Sequence, residues 1–273
     1  MELEEKLTKH LLKKANVVSV GIGYRYKNGV KTPQISIVCN VTRKVSPELL
    51  KRKDLIPEEL YGQISTDVQE VGELKAEIDP GASISHRRTT AGTLGCKVYD
   101  NDGVSYILSN NHVMVTNCVK KGDSIIHPGK VDGGGNEIAK LSKWIKFKKT
   151  NYVDAAIAKI NDTIIQRIIP NIGVPEGTTE PSLGMKVHKQ GRTTGYTTGV
   201  VEQINVTAKI NIGNKKRLFK GQFATSDMSE PGDSGSLVLD GTTAVGLLFA
   251  GSDKITLCNP IDNVLNSLDV NIL

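Results

Sequence analysis

The spacing of apolar residues changes character about a third of the way along the chain. In residues 2–14, Leu3, Leu7 and Leu11/Leu12 recur at helical intervals among charged residues, which predicts a short amphipathic helix. Two β-branched runs, Val17–Tyr26 and Gln34–Val41, then flank Lys27-Asn28-Gly29. Asn-Gly between alternating apolar runs predicts a hairpin. Ser46-Pro47-Glu48-Leu49 offers a capping serine and a first-turn proline, so a second helix is expected there. This α+β texture ends at Pro80-Gly81-Ala82-Ser83, and with the connecting residues it forms a small N-terminal unit, residues 1–88.

Beyond His86-Arg87-Arg88 the apolar runs become short, β-prone and punctuated by turns such as Asn101-Asp102-Gly103, Asp132-Gly133-Gly134-Gly135 and Asp240-Gly241. Strands are expected at 93–99, 104–108, 138–147, 154–160, 186–190, 199–212, 218–225, 236–239, 244–250 and 255–258. Such spacing favours an all-β barrel or sandwich over a parallel α/β sheet. A helix over 261–268 closes the second unit, residues 89–273.

Composition narrows the function classes. Lys and Arg number 35 against 29 Asp and Glu, a net +6, with the densest runs at Lys146-Phe147-Lys148-Lys149 and Lys215-Lys216-Arg217. With 4% aromatic residues and no recognition motif, this excess reads as solvated hairpin ends, not as a nucleic-acid surface. The N-terminal stretch lacks the apolar core of a secretory signal, and no run is long enough to span a bilayer, so a cytoplasmic protein is expected. Cys39, Cys96, Cys118 and Cys258 are scattered, without a CxxC pair or clustered histidines, and are expected to be reduced thiols, with neither zinc nor a disulfide framework.

The candidate chemistry begins at Pro231-Gly232-Asp233-Ser234-Gly235-Ser236. It sets a serine in a tight glycine-flanked turn ahead of a buried strand, a shape able to aim the amides of Gly232 and Ser234 at one developing oxyanion. The tetrapeptide alone also suits an ordinary hairpin turn. His112 follows the apolar strand Tyr106-Ile107-Leu108 in a polar loop, held at its base while the ring stays accessible, as a general base requires. His10, His86, His127 and His188 lack that setting. Asp154 lies in Val153-Asp154-Ala155-Ala156-Ile157, where burial is costly without a donor, and an imidazole Nδ1–H is such a donor. A strand-end aspartate capping backbone amides has the same sequence appearance.

Taken together, Leu108-Ser109-Asn110-Asn111-His112, Val153-Asp154-Ala155-Ala156 and Gly232-Asp233-Ser234-Gly235 resemble the chymotrypsin/trypsin-like serine peptidases. Ala91-Gly92-Thr93-Leu94-Gly95-Cys96, Gly191-Arg192-Thr193-Thr194-Gly195 and Gly246-Leu247-Leu248-Phe249-Ala250-Gly251 narrow the likeness to bacterial trypsin-like peptidases related to the plant narrow-leaf proteins. The resemblance implies a mainly β, chymotrypsin-like double β-barrel, the first barrel at about 89–165 and the second at about 166–260. It implies a serine endopeptidase with His112, Asp154 and Ser234 as the catalytic triad, Gly232 and Ser234 amides as the oxyanion hole, a polypeptide substrate and no metal or organic cofactor.

The resemblance also exposes departures. It places Met228, six residues before Ser234, at the base of the pocket for the substrate side chain, with Phe249, Ala250 and Gly251 opposite; this implies an apolar-accepting pocket, while a one-residue shift to Asp227 would favour basic side chains. Residue 113 is valine, where secreted relatives carry cysteine, which agrees with a reducing compartment. Residues 1–88 precede the barrel, so Asp233 must find a donor other than a newly cut N-terminus, or cleavage occurs near Arg87-Arg88. The polar residues Asp132, Asn136 and Glu137 suit a turn more than a calcium site. The N-terminal unit is expected to gate the site, hold a homo-oligomer together, or recruit substrates or a regulatory partner. A competing reading is a catalytically latent peptidase fold that binds peptides.

Overall fold

The computed structural model describes residues 2–74, 77–116, 118–161, 164–213 and 215–272. It divides the chain into two compact units, Met1–Lys75 and Ala76–Leu273. The unit boundary therefore falls before the expected 88/89. Residues 76–88 contribute the strands Glu77–Ile78 and Ser83–His86, and the second of these pairs with Gly92–Thr93 on one side and Ser124–His127 on the other. Those are barrel hydrogen bonds, so this stretch belongs to the β unit and not to a linker.

In the first unit the helix Glu2–Leu12 precedes the hairpin Val17–Lys27/Val30–Val41, as the spacing predicts. The side chain of Leu3 lies outside the described residues. The strand Ile64–Glu70 runs parallel to Val30–Val41 and completes, with Glu59–Leu60, a four-stranded sheet. The second helix expected at Ser46 is a single 3-10 turn, Pro47–Leu49, and the Ser46 side chain makes no capping bond. A lone turn with no buried residue has nothing to propagate it into an α-helix.

The second unit is a double β-barrel. Its first sheet runs Gly92–Thr93, Ser83–His86, Ser124–His127, Asn136–Trp144, Ala156–Ile160, Ser105–Ser109 and Cys96–Tyr99. The outermost strands are neighbours in sequence, and Gly95 N–H bonds the Leu108 carbonyl at 2.9 Å, so the sheet curls upon itself. The other sheet runs Thr150–Asn151, Lys215–Ser226, Gly195–Ile212, Lys186–Gly191, Leu237–Asp240, Thr243–Gly251 and Ile255–Pro260; Lys215–Ser226 also pairs with Ile255–Pro260 and closes it.

Alternation along the strands fills three apolar layers. Ile107, Ala156 and Ala158 point into the first barrel with Ile84, Leu94 and Ile125. Val187, Val201, Phe223, Val238 and Leu248 fill the second. Their outward neighbours Leu108, Ala155, Ile157, Leu237 and Leu247 meet between the barrels, where the helix Ile261–Leu268 adds Ile261, Val264, Leu265 and Leu268. Among the described residues no helix is long and apolar enough to cross a membrane.

Candidate active site

The strand Ser105–Ser109 ends in a one-turn helix, Asn111–Met114, which carries His112. The turn is anchored from below: Val113 and Met114 are buried in the first barrel, and Thr89 Oγ1 donates to the Val113 carbonyl at 2.8 Å. Asp154 lies two residues before the inner strand Ala156–Ile160, between buried Val153 and Ala155, and is fully inaccessible. Its backbone is held from both barrels. Asn110 Nδ2 donates to its carbonyl at 2.7 Å, and its own N–H bonds Asn259 Oδ1 at 2.9 Å.

Both carboxylate oxygens of Asp154 face one residue. His112 N–H reaches Oδ1 at 3.2 Å, and His112 Nδ1 reaches Oδ2 at 2.6 Å. A carboxylate accepts, so the Nδ1 position carries the hydrogen and Nε2 keeps its lone pair. Burial pulls the imidazole towards its neutral form, but the Asp154 charge and hydrogen bond outweigh it and hold His112 above the ordinary histidine range.

Ser234 lies half-buried in the loop before Leu237–Asp240. Gly232 and Gly235 adopt φ of 109° and 98°, values that side chains rarely tolerate, and each also faces close neighbours: a Cβ on Gly232 would lie 2.3 Å from Thr193 Oγ1, and one on Gly235 2.4 Å from the Thr93 carbonyl. Within the loop the amides of Asp233, Gly235 and Ser236 bond the carbonyls of Glu230, Leu248 and Asp233. The amides of Gly232 and Ser234 have no backbone acceptor among the described residues. That leaves two donors in one glycine-shaped turn, the condition for an oxyanion hole.

The His112 and Ser234 loops are joined through the two-residue strand Gly92–Thr93. Thr93 N–H bonds the Ser234 carbonyl at 2.8 Å, and Thr93 Oγ1 bonds the Gly232 carbonyl at 2.9 Å. A Cβ on Gly92 would meet Val113 Cγ2 at 2.4 Å and the Ser234 carbonyl at 2.9 Å. Ser234 Oγ and His112 Nε2 make no hydrogen bond to each other in this structure.

Asp233 points away from the site into the second barrel and is fully buried. Its carboxylate accepts from the amides of Thr193 at 2.8 Å, Thr194 at 3.1 Å and Glu230 at 3.0 Å, and from Thr194 Oγ1 at 2.6 Å. Lys189, itself fully buried, lies 3.2 Å away. Burial acts to raise the Asp233 pKa, but these donors and the lysine charge hold it below the ordinary carboxylate value. The donor that the sequence left open is thus internal, and the loop is ordered without a new N-terminus. Lys189 was not legible as part of the site, because a lysine within a strand reads as a solvent-facing residue.

The adjoining Gly191-Arg192-Thr193-Thr194-Gly195 segment locks the loop from outside. Thr193 Oγ1 donates to the Pro231 carbonyl at 2.9 Å, and Arg192 N–H to Thr93 Oγ1 at 3.1 Å. The Arg192 guanidinium grips Asp132 through Nε at 2.6 Å and Nη2 at 2.5 Å, and together with Ser83 it lowers that carboxyl to a pKa of about 2. Glu137 is bonded to Ser124, Lys140 and Asn161. Among the described residues there is no group of three or more His, Cys, Asp or Glu able to hold a metal.

Met228 is buried against Gly199, where a Cβ would fall 2.8 Å from its Sδ. Thr256 Oγ1 lies between Met228 N–H at 3.2 Å and Ser229 Oγ at 2.8 Å. A Cβ on Gly251 would stand 3.1 Å from Ser229 Oγ, so the Met228–Ser229 and Ala250–Gly251 segments are neighbours. Phe249 is drawn instead into an apolar cluster, its ring 4.9 Å from Phe219. Asp227 is exposed.

Comparison with known proteins finds the same architecture. Thermobifida fusca Protease A aligns with a TM-score of 0.57 at 21% identity, over 72% of this chain and 99% of that one. The Nocardiopsis Protease aligns equally well at 22% identity. In sequence, Streptogrisin-A of Streptomyces griseus is 32% identical over 96 residues, 33% of this chain and 31% of that protein. Serine protease 2 of Streptomyces fradiae is 36% identical over 76 residues, 28% of this chain and 42% of that protein. The chain thus spans less than half the length of these curated relatives, and no family model matches. The fold of the second unit is the chymotrypsin-like double β-barrel.

Proposed function

We propose that the chain is a serine endopeptidase in which His112 takes the Ser234 proton as Oγ attacks a substrate carbonyl, Asp154 holds the imidazole, and the Gly232 and Ser234 amides bind the oxyanion. The observation that carries this reading is the 2.6 Å bond from His112 Nδ1 to a fully buried Asp154, which fixes the base with Nε2 free. His112 returns its proton to the leaving amine, and water then releases the acyl group from Ser234 by the same route, so the cycle uses side chains and amides alone. The serine proteases among the matched relatives support the assignment.

Met228 and the Ala250–Gly251 backbone suit an apolar substrate side chain, with the Phe249 backbone beside them. Four free thiols, three of them buried, support a reducing, cytoplasmic setting, and the matched Streptomyces proteins support a bacterial source; the N-terminal unit is proposed to recruit a partner or a second copy. A fluorophosphonate probe tests the reaction itself. The native chain is expected to be labelled, and Ser234→Ala and His112→Ala are not; absence of labelling in the native chain would favour a peptide-binding, non-cleaving module.

A further inference from the structure

Beside His112 opens a cleft of about 840 Å³ that the proposed chemistry leaves unexplained. Four of its lining residues are cations, Arg88, Lys146, Lys215 and Arg217, and none is Asp or Glu. Three come from the basic runs that the sequence presents as solvated hairpin ends. In the fold, however, the 144–147 segment and the long hairpin meet at this cleft, because Thr150–Asn151 pairs with Leu218–Phe219 and Phe147 packs on Phe219.

The cations are not neutralised in place. Among the described residues none of the four takes part in an ion pair; Arg88 is felt weakly by Asp123, whose closer partner is His86. Asp154, the acid behind His112, is sealed from the cleft by burial. Arg217 is also positioned rather than loose: its guanidinium lies over the Phe147 ring at 4.9 Å, and Nη1 donates to the Lys148 carbonyl at 3.1 Å. Its Nε is buried without a hydrogen-bond partner, and so is the hydroxyl of Thr116, another residue lining the cleft. A focused positive field, walled in part by Trp144 and Phe147, is arranged for carboxylates.

We propose that this cleft binds acidic side chains of the polypeptide flanking the scissile bond, so that the enzyme selects acidic stretches of substrate through Lys146, Lys215 and Arg217. This deepens the endopeptidase reading and rests on it for the word substrate, but not for the binding. Cations lining a groove raise encounter rates with acidic partners and discriminate against like-charged ones, and the effect fades as salt screens it.

The test uses the full chain carrying Ser234→Ala, which binds without cutting. A short fluorescent peptide with alternating glutamates and its glutamine counterpart are titrated by anisotropy at low and high salt. The glutamate peptide is expected to bind roughly tenfold more tightly at low salt, with the margin shrinking as salt rises. Lys146→Glu/Lys215→Glu is expected to abolish the preference, whereas Lys159→Glu/Lys186→Glu, an equal charge change elsewhere on the barrels, keeps it. Equal affinity for the two peptides, or equal loss in both double variants, overturns the proposal. On the native background the same peptides are followed for cleavage: binding preference without cleavage sinks the endopeptidase reading and leaves the acidic groove standing, while cleavage without preference does the reverse.

Discussion

Two aspartates of the second unit are buried completely, and they are employed in opposite ways. Asp154 lies under the histidine loop and gives both its oxygens to a residue whose side chain is 25% exposed. Asp233 lies under the serine loop and gives its oxygens to amides, a hydroxyl and a lysine that is as buried as itself. Burial alone therefore does not mark a working carboxylate. What separates the two is whether the partner can exchange a proton with the outside: the imidazole can, and the lysine, closed in by Asp233, Thr194 and Gly195, cannot.

Substitutions at the two sites sharpen this contrast, because one should change rate and the other stability. Asp154→Asn is expected to lower kcat about 10⁴-fold by presenting the wrong tautomer, with a folded barrel as judged by circular dichroism. Lys189→Met leaves Asp233 charged and unpaired, and removing one partner of a buried pair costs about 3–5 kcal/mol; a strongly reduced denaturation midpoint is expected, and Lys189→Met/Asp233→Asn should recover part of it. A stable Lys189→Met chain with poor kcat would instead give Lys189 a share in the chemistry. Arg192→Ala frees Asp132 at the partly exposed edge of the same loop, and about 1 kcal/mol of stability is the expected loss.

The smallest effect is the pH dependence. His112 is held above its ordinary value, so its stabilising contribution is present below the unfolded value near pH ~6.5 and is lost as pH rises through the higher folded value. Activity runs the other way, since the base works only when neutral. A profile of kcat/KM should rise with an apparent pKa above the ordinary histidine value, while chemical denaturation shows the native state weakening slightly over that window. In Asp154→Asn the limb should move down, because the charge that raised it is gone.

The sequence reveals the candidate triad more readily than the boundaries that frame it. Ser234, His112 and Asp154 each sit where a strand meets a turn, and such junctions leave a local pattern of apolar run followed by glycine or polar residues. The strands Glu77–Ile78, Ser83–His86 and Ser124–His127 leave none. At two to four residues they are too short to show alternation, and they pair with segments about forty positions away or, for Glu77–Ile78, 87 positions away. That is why the start of the first barrel is misplaced by about a dozen residues when read from texture alone. Lys189 and Thr93 escape notice for a related reason: their roles are set by what faces them across the fold and not by their neighbours in the chain. The same holds for Lys146 and Lys215, whose runs read as solubility until the hairpin brings them to one cleft.

The Thr93–Gly232 hydrogen bond has a temporal meaning as well as a spatial one. It spans 139 positions of the chain, and contacts of such separation form late because the intervening segment must first be organised. During synthesis, a polypeptide extended through the first barrel already carries His112 and Asp154 but not Ser234. The reactive turn is assembled only after the second barrel has emerged and folded back onto residue 93. The order of manufacture thus withholds the proposed nucleophile until both barrels exist.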